Sequence, residues 1–146
     1  MNELLLIARI GGRRIGLRAT QVNSVIELDK LTPIPRAPSY ILGLTPLRSS
    51  ALTVVDCALA LELGQPTRPA EQVAQAIVVE HEGHSYALLV DEVEDVAEAH
   101  SDVTEVSGEA GAGWKRAAQG MVETAIGPVL LLDAAAIIIG PLAEAA

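Results

Sequence analysis

The sequence predicts an all-β protein made of two related halves, each closing into a small barrel that ends in a short helix. Short apolar, β-branched runs alternate with Gly and Pro turns, and the same order of segments occurs twice along the 146 residues. Strands this short cannot bury a face alone, so closure into a barrel protects their edges. Because the chain has no Phe and only 2% aromatic residues, its core must consist of Val, Ile, Leu and Ala.

Each half opens with a predicted β-hairpin. In the first half, two strand-like apolar runs flank the turn sequence GGRR at residues 11–14. The second half begins in the same way around the turn sequence HEGH at residues 81–84. Glycine at a tight turn between two alternating apolar runs is a typical hairpin signal.

The later part of each half repeats as well. Two valines follow each hairpin at a spacing of three: Val22 and Val25, then Val93 and Val96. Each half closes with an apolar strand, an aspartate and a short helical tail, and Asp56 and Asp133 stand at the N-cap position of those tails. The join between the halves is predicted at residues 65–72 (QPTRPAEQ), which are rich in proline and polar side chains.

Charge is distributed unevenly along the chain. The formal net charge is −9, but residues 1–68 carry 8 basic and 5 acidic residues whereas residues 69–146 carry 2 and 14. We therefore expect a molecule with one basic and one acidic end. The negative net charge and the lack of basic runs interleaved with aromatics exclude nucleic-acid binding.

The sequence also predicts a cytoplasmic location. One cysteine, Cys57, cannot form an internal disulfide, and the first residues (MNELLLIARI) carry an acid where a secretory signal would be basic. The longest apolar stretch, residues 129–139, contains Asp133 and is shorter than the ~20 residues that cross a bilayer. No insertion into a membrane is expected.

Residues 31–56 (LTPIPRAPSYILGLTPLRSSALTVVD) resemble the signature of the CheW family: a proline pair, a Gly-Val-like step, an Asn-Leu-Arg-Gly element and a strand ending in Val-Asp. Residues 77–96 are similar to the family's second hairpin, so the resemblance covers nearly the whole chain. It implies one CheW-like domain, residues 1–146, with two Src-homology-3-like five-stranded β-barrel subdomains side by side and short helices. The subdomains would span about 15–70 and 76–132, and their terminal segments could be exchanged.

The resemblance also implies a function. It predicts a non-enzymatic coupling protein without a cofactor, which links the regulatory domain of the histidine kinase CheA to chemoreceptor tips in membrane arrays. In this family, the second barrel pairs with a barrel of the kinase, and a groove between the barrels takes the receptor tip. An adaptor of a non-flagellar chemosensory-like pathway and a small-ligand-binding β-barrel protein remain alternatives.

Four residues are candidates for receptor binding by this resemblance: Arg48, Val22, Ser24 and Leu47. Arg48 matches the arginine of the Asn-Leu-Arg-Gly element, and Val22 matches an apolar residue that lines the groove. No residue is assigned to kinase binding.

The sequence departs from the family's pattern around these candidates. The Asn and Gly of the Asn-Leu-Arg-Gly element are Pro46 and Ser49, and the acid expected two residues after Val22 is Ser24. Glu27 or Asp29 would then have to serve as the charge partner of Arg48.

Other chemistry-bearing residues have structural interpretations. The HEGH sequence is expected to be a solvated hairpin tip and not a metal site. Trp114 is expected to pack, Cys57 to be buried, and residues 107–116 to form a flexible connection, since that loop lacks the ending of a phosphate-binding loop. One acidic run has two interpretations, an ordinary solvated face or an electronegative docking strip: Asp91, Glu92, Glu94, Asp95 and Glu98. The three histidines accompany no catalytic motif, so no enzyme is predicted.

Overall fold

The computed structural model describes residues 3–70, 72–105 and 111–139. In this part of the chain it contains ten strands and three short α-helices. The strands are β1 (Leu4–Ile10), β2 (Arg13–Arg18), β3 (Val22–Leu28), β4 (Ile41–Leu47), β5 (Ser50–Asp56), β6 (Ala74–His81), β7 (His84–Val90), β8 (Glu92–Glu98), β9 (Ala118–Thr124) and β10 (Gly127–Leu132). The helices are α1 (Cys57–Ala60), α2 (Ala112–Ala117) and α3 (Ala134–Ile139).

The strands form two five-stranded sheets, and neither sheet is built from one half of the sequence alone. The first barrel has the strand order β3-β6-β7-β5-β4, and the second barrel has the order β8-β1-β2-β10-β9. Each half thus gives its opening hairpin to the other barrel. The subdomain bounds predicted from the sequence, about 15–70 and 76–132, cut across both sheets for this reason. Local patterns predict where strands lie, but they do not determine which distant strands pair.

Each sheet closes through a backbone bridge beside a glycine. The chain after β3 bridges to β4 at Thr32, and the chain after β8 bridges to β9 at Thr104. A Cβ on Gly43 would lie 2.2 Å from the Thr32 carbonyl oxygen, and a Cβ on Gly120 would lie 2.3 Å from that of Thr104. Only a residue without a side chain allows this close backbone approach at Gly43, and Gly120 repeats it in the second barrel.

Both opening hairpins have the predicted tight turns. Gly11 and Gly12 have φ values of 59° and 79°, and Glu82 and Gly83 have values of 51° and 81°. Two successive positive φ angles are the signature of a type I′ turn, whose twist matches that of the flanking strands. The HEGH sequence is therefore the tip of the β6–β7 hairpin.

The largest apolar cluster lies between the barrels, and we call it the shared core. It draws buried side chains from both sheets and from all three helices, including Leu6, Ile77, Leu88, Ala60, Trp114 and Ile137. Smaller separate clusters fill the interiors of the first and second barrels. Because successive residues of a strand point to opposite faces, β1 directs Leu5 into its own barrel and Leu6 into the shared core. The two barrels therefore share most of their hydrophobic stabilisation.

The predicted helix caps are confirmed. The Asp56 carboxylate accepts the backbone N–H of Leu59 at 3.2 Å, and that of Asp133 accepts the N–H of Ala135 at 3.2 Å. Asp56 is buried and also accepts the Thr67 hydroxyl at 2.5 Å and the Thr67 N–H at 3.1 Å. Thr67 belongs to the predicted join at residues 65–72, of which residue 71 lies outside the described part. This join is thus tied to the start of α1.

Trp114 packs into the shared core as predicted, with the Arg13 guanidinium carbon 5.3 Å from its ring centroid. Cys57 is buried, and this burial raises the pKa of its thiol. The flexible connection predicted for residues 107–116 begins outside the described residues, but its second part is α2, which corrects that prediction. None of the helices in residues 3–70, 72–105 and 111–139 is both long and apolar enough to span a membrane.

Candidate partner-binding surface

Two edge strands, β3 and β8, flank the seam between the barrels. Val22 on β3 and Val93 on β8 both pack against the shared core. In each strand the next residue, Asn23 or Glu94, forms a β-bulge that has no direct partner on the neighbouring strand. A bulge inserts one extra residue, so valines spaced by three face the same side of the strand. The two bulges explain why the valine spacing of three residues occurs twice in the sequence.

The second valine of each strand, Val25 or Val96, lies on the face that points to the seam, but the other described side chains do not cover it. Val25 pairs with Ile77 and Val96 pairs with Leu6, and both of these partners belong to the shared core. Directly paired residues project to the same face of a sheet. Val25 and Val96 are nevertheless 39% and 53% exposed. We call the set formed by Val22, Val25, Val93 and Val96 the valine surface.

A cleft of about 370 Å³ opens between the barrels beside the valine surface. Its lining comes from β3, from the start of β6 and from the start of β8, namely Glu27, Gln72, Val73, Gln75, Glu92 and Val93. At this inter-barrel cleft the Gln75 side-chain oxygen accepts the backbone N–H of Val93 at 3.0 Å. One side chain of the first barrel is thereby hydrogen-bonded to the edge strand of the second.

The acidic run of β8 is largely engaged within the molecule. The Glu94 carboxylate accepts two hydrogen bonds from Arg14, at 2.9 and 3.1 Å, and lies 3.3 Å from Arg9 Nε. Asp91 accepts the backbone N–H groups of Gly11 and Gly12 in the β1–β2 turn, at 3.2 and 2.8 Å. The Arg14 hydrogen bonds lower the pKa of Glu94 and raise the pKa of Arg14. A freely available electronegative docking strip is therefore not present at Asp91 and Glu94.

The exchange of hairpins also removes the charge asymmetry expected from the sequence. The arginine-rich β1–β2 hairpin lies beside the acidic strand β8 in the second barrel. Among the described residues, the second barrel with its helix and loops (3–18, 91–105 and 111–133) carries six basic and ten acidic residues. The first barrel (19–70 and 72–90) carries four and six. The prediction of one basic and one acidic end was wrong.

Arg48 occupies the turn between β4 and β5. It is exposed, and no side chain in the described parts of the chain forms an ion pair or hydrogen bond with its guanidinium. Glu27 and Asp29 therefore do not pair with it. Its φ of 57° lies in the left-handed region that favours glycine. The backbone turns sharply here while it presents a free planar cation to solvent.

The four candidate residues do not form one contiguous cluster of contacts. Val22 is partly buried against the shared core, whereas Leu47 is partly buried against the interior cluster of the first barrel. Ser24 and Arg48 are exposed, on β3 and in the β4–β5 turn. Of the four, only Val22 belongs to the valine surface.

Pro46, which replaces the family's Asn, fits its strand without loss of a hydrogen bond. The amide and carbonyl of Leu44 bond to Thr32 at 2.8 Å on the outer side of β4. Backbone groups alternate in direction along a strand, so the nitrogen of Pro46 also points outward, away from β5. The departure from the family pattern at Pro46 is therefore compatible with the sheet.

Sequence reasoning missed Gln75 and the second valine of each strand as members of this surface. The recurrence of a three-residue spacing inside strand-like segments was the available signal for the valines. Within residues 3–70, 72–105 and 111–139, no group of three or more His, Cys, Asp or Glu side chains is arranged to hold a metal ion.

The family model and a curated relative indicate the same family, and a solved structure has the same fold. The family model described as CheW-like domain matches residues 4–140. Among curated proteins, the chain is 39% identical over 57 residues to Protein FrzA of Myxococcus xanthus, covering 39% of this chain and 36% of that protein. It is 26% identical over 104 residues to Chemotaxis protein CheW of Bacillus subtilis, covering 71% of this chain and 65% of that protein.

The matched region spans 36% to 65% of the lengths of these curated relatives. A solved structure, that of scaffolding protein TtCheW from Thermoanaerobacter tengcongensis, superposes with a TM-score of 0.77 at 20% sequence identity. It covers 92% of this chain and 86% of its own. That likeness establishes the fold of two five-stranded sheets with a few short helices.

Proposed function

The chain belongs to the family of CheW-like domains, and we propose that it is a non-enzymatic coupling adaptor of a chemosensory array. In this proposal it links the regulatory domain of the histidine kinase CheA to the cytoplasmic tips of chemoreceptors at the membrane. The names of its relatives, a chemotaxis protein and a scaffolding protein, support a role of this class. Signal would pass as a change in how the partners are held.

The observation that carries the proposal is the valine surface. Val25 and Val96 come from different barrels, face the same seam and remain exposed. An apolar surface at a junction of two subdomains suits the apolar face of a partner helix, which is the form we expect for a receptor tip. We therefore propose that the receptor tip lies along the seam between β3 and β8.

The filled barrel interiors favour an adaptor over a small-ligand-binding barrel. Each barrel has its own cluster of buried Val, Leu, Ile and Ala side chains at its centre. A barrel of this size holds a ligand only when its interior side chains leave room for one. Binding at outer surfaces is the use that this packing supports.

Arg48 combines a backbone at positive φ with an exposed guanidinium that is unpaired among the described residues. A residue other than glycine at positive φ costs of order 1–3 kcal/mol when the surroundings impose a sparsely populated conformation. The same strain occurs at Arg36, so it does not by itself indicate a function. What supports a role for Arg48 is its match to the family's arginine together with its exposed guanidinium, which the described side chains leave unpaired. Its fixed fork of donors suits a carboxylate or the carbonyls at the end of a helix. We assign it to the receptor interface.

The test compares two arginines at positive φ. Arg36 is exposed with a φ of 63°, so Arg36→Gly is a matched control for Arg48→Gly. Both substitutions relieve the backbone and should raise the free energy of unfolding by up to about 1 kcal/mol. Only Arg48→Gly should weaken binding of a receptor-tip fragment, by about tenfold, with binding of the CheA regulatory domain retained.

Calorimetric titration of both partners against the three proteins gives the result. If the unmodified protein fails to bind the kinase domain or the receptor fragment, the adaptor proposal is wrong. If Arg48→Gly and Arg36→Gly bind the receptor fragment equally well, Arg48 has no part in the interface.

A further inference from the structure

We propose that Gln75 is a positioning residue that fixes the two walls of the inter-barrel cleft relative to each other. This inference rests on the function proposed above, because it concerns how the seam is prepared for a partner that touches both barrels. Three observations support the positioning role. The Gln75 side chain forms one hydrogen bond, the two ends of this bond lie in different barrels, and the equivalent position in the other half of the sequence has no such bond among the described residues.

The two ends of the hydrogen bond belong to opposite walls of the cleft. The backbone of Gln75 pairs with Glu27 of β3 and with Val90 of β7, so it moves with the first barrel. Val93 pairs with Ala8 of β1 and moves with the second barrel. The Gln75 oxygen accepts the Val93 N–H at 3.0 Å, and both residues are partly buried. The bond therefore spans the seam directly.

The Val93 amide has a side-chain acceptor outside its own sheet. Strand β8 is the edge of the second barrel's sheet and has β1 as its ladder partner. The N–H of Val93 donates to the Gln75 side-chain oxygen of the first barrel. A partly buried backbone N–H without an acceptor is unfavourable, so the bond holds β8 against β6.

The equivalent position in the other half of the sequence forms no such bond among the described residues. Leu4 is the equivalent of Gln75, because Leu4 pairs with Glu98 of β8 and Gln75 pairs with Glu27 of β3. Val22 on β3 is likewise the equivalent of Val93 on β8. A leucine side chain has no acceptor, and Leu4 is 48% exposed. One end of the seam is thus tied by a side chain of the other barrel, whereas the equivalent Val22 N–H donates to the carbonyl of Ala19 within its own strand connection. We infer that the tied end sets the separation of β3 from β8.

A fixed separation matters for a partner that contacts both strands. Binding to a cleft that is already held in its bound shape loses less conformational freedom than binding to one whose walls move independently. Loss of the Gln75 bond should therefore weaken a partner in the seam. It should leave unchanged a partner that packs on one barrel alone.

The experiment replaces two glutamines of the same cleft. Gln75→Met keeps the length of the side chain and removes its strong acceptor. Gln72→Met is the matched control, since Gln72 lines the cleft and forms no hydrogen bond through its side chain among the described residues. Amide hydrogen exchange followed by NMR reports on Val93 directly. Titrations with the receptor-tip fragment and with the CheA regulatory domain report on the two binding surfaces.

We expect the Val93 amide to exchange about three- to tenfold faster in Gln75→Met and to be unchanged in Gln72→Met. Affinity for the receptor-tip fragment should fall by a similar factor in Gln75→Met, with kinase affinity unchanged. Gln75→Glu retains an acceptor oxygen at the same reach and should restore the slow exchange of Val93. A merely structural role would lower both affinities together.

The outcomes separate the two proposals. Failure of the unmodified protein to bind the receptor fragment contradicts the proposed function. Unchanged exchange of Val93 in Gln75→Met contradicts the positioning role, whether or not the receptor fragment binds. Faster exchange with unchanged receptor affinity, or with equal loss for both partners, also overturns the inference while the adaptor function stands.

Discussion

Strands β3 and β8 occupy equivalent places in the two barrels, yet among the described residues charged side chains hold β8 and not β3. The bulge residue of β8, Glu94, is bound by Arg14 and Arg9, whereas the bulge residue of β3, Asn23, is neutral and exposed and forms no side-chain hydrogen bond with the described residues. Gln75 adds a further bond to β8. The two strands therefore share one shape, but β8 is held by more side-chain contacts within the molecule than β3.

This difference shows where the charge of the chain is used. The arginines of the β1–β2 hairpin neutralise acids of β8 because the hairpin is exchanged into the second barrel. Exposed ion pairs contribute little to stability, but several in one place fix the position of a strand. Strand β3 has no such ion pairs among the described residues, so its position depends on its backbone pairing with β6.

The largest effect should come from the feature that both barrels share, their closure beside a glycine. Gly43→Ala and Gly120→Ala each place a Cβ within 2.3 Å of a backbone carbonyl oxygen, at φ values of 148° and 145°. Each substitution should lower the free energy of unfolding by about 3 kcal/mol or more, measured by urea denaturation. Gly83→Ala, at positive φ but with open space around it, should cost only about 1 kcal/mol. Equal effects at all three glycines would contradict the closure described above.

The capping aspartates should distinguish the halves by a smaller amount. Asp56→Ala removes the helix cap and leaves the buried Thr67 N–H and hydroxyl without their acceptor, so it should cost about 2–3 kcal/mol of unfolding free energy. Asp133→Ala removes a partly buried cap and should cost about 1 kcal/mol. Thermal and urea unfolding of both variants measure the difference. A larger cost at Asp133 would mean that the join at Thr67 adds nothing.

The ion pairs of β8 should give the smallest effect, and it should depend on pH. The pKa of Glu94 is lowered in the folded state, so its contribution is present above its ordinary pKa of about 4.5 and is lost as the pH falls below that value. Between pH 7 and pH 3 the unmodified protein should lose about 0.5–1 kcal/mol more than Glu94→Gln. Glu27→Gln removes a carboxylate that has no ion pair in the described residues and serves as the control. A parallel pH profile for Glu94→Gln and the unmodified protein would remove Glu94 from this account.

Features encoded by neighbouring residues could be predicted from the sequence. The hairpin turns at Gly11 and Gly83, the caps at Asp56 and Asp133 and the packing of Trp114 each depend on local patterns or on the chemistry of one side chain. The family resemblance added the five-stranded sheets, which the structure confirms.

Features that depend on distant pairing could not be predicted in the same way. The exchange of hairpins leaves every local pattern unchanged, and it alone decides that Arg14 meets Glu94 and that Gln75 meets Val93. The spacing of the valines was visible, but a spacing of three acquires its meaning only when the bulges at Asn23 and Glu94 are known. The receptor-binding roles of Val22, Ser24, Leu47 and Arg48 therefore stay predictions, and Val25, Val96 and Gln75 could not be placed at the seam from the sequence.

The most direct test of the central claim is the affinity of the receptor-tip fragment for a protein with a charged seam. We expect the double substitution Val25→Glu and Val96→Glu to reduce that affinity at least about tenfold. The bound partner would bury the two introduced carboxylates without a compensating charge. Val103→Glu, at a valine of 44% exposure away from β3 and β8, should have no effect. Unchanged affinity in the double variant, or equal loss in Val103→Glu, would contradict the claim that partners dock on the seam between the barrels.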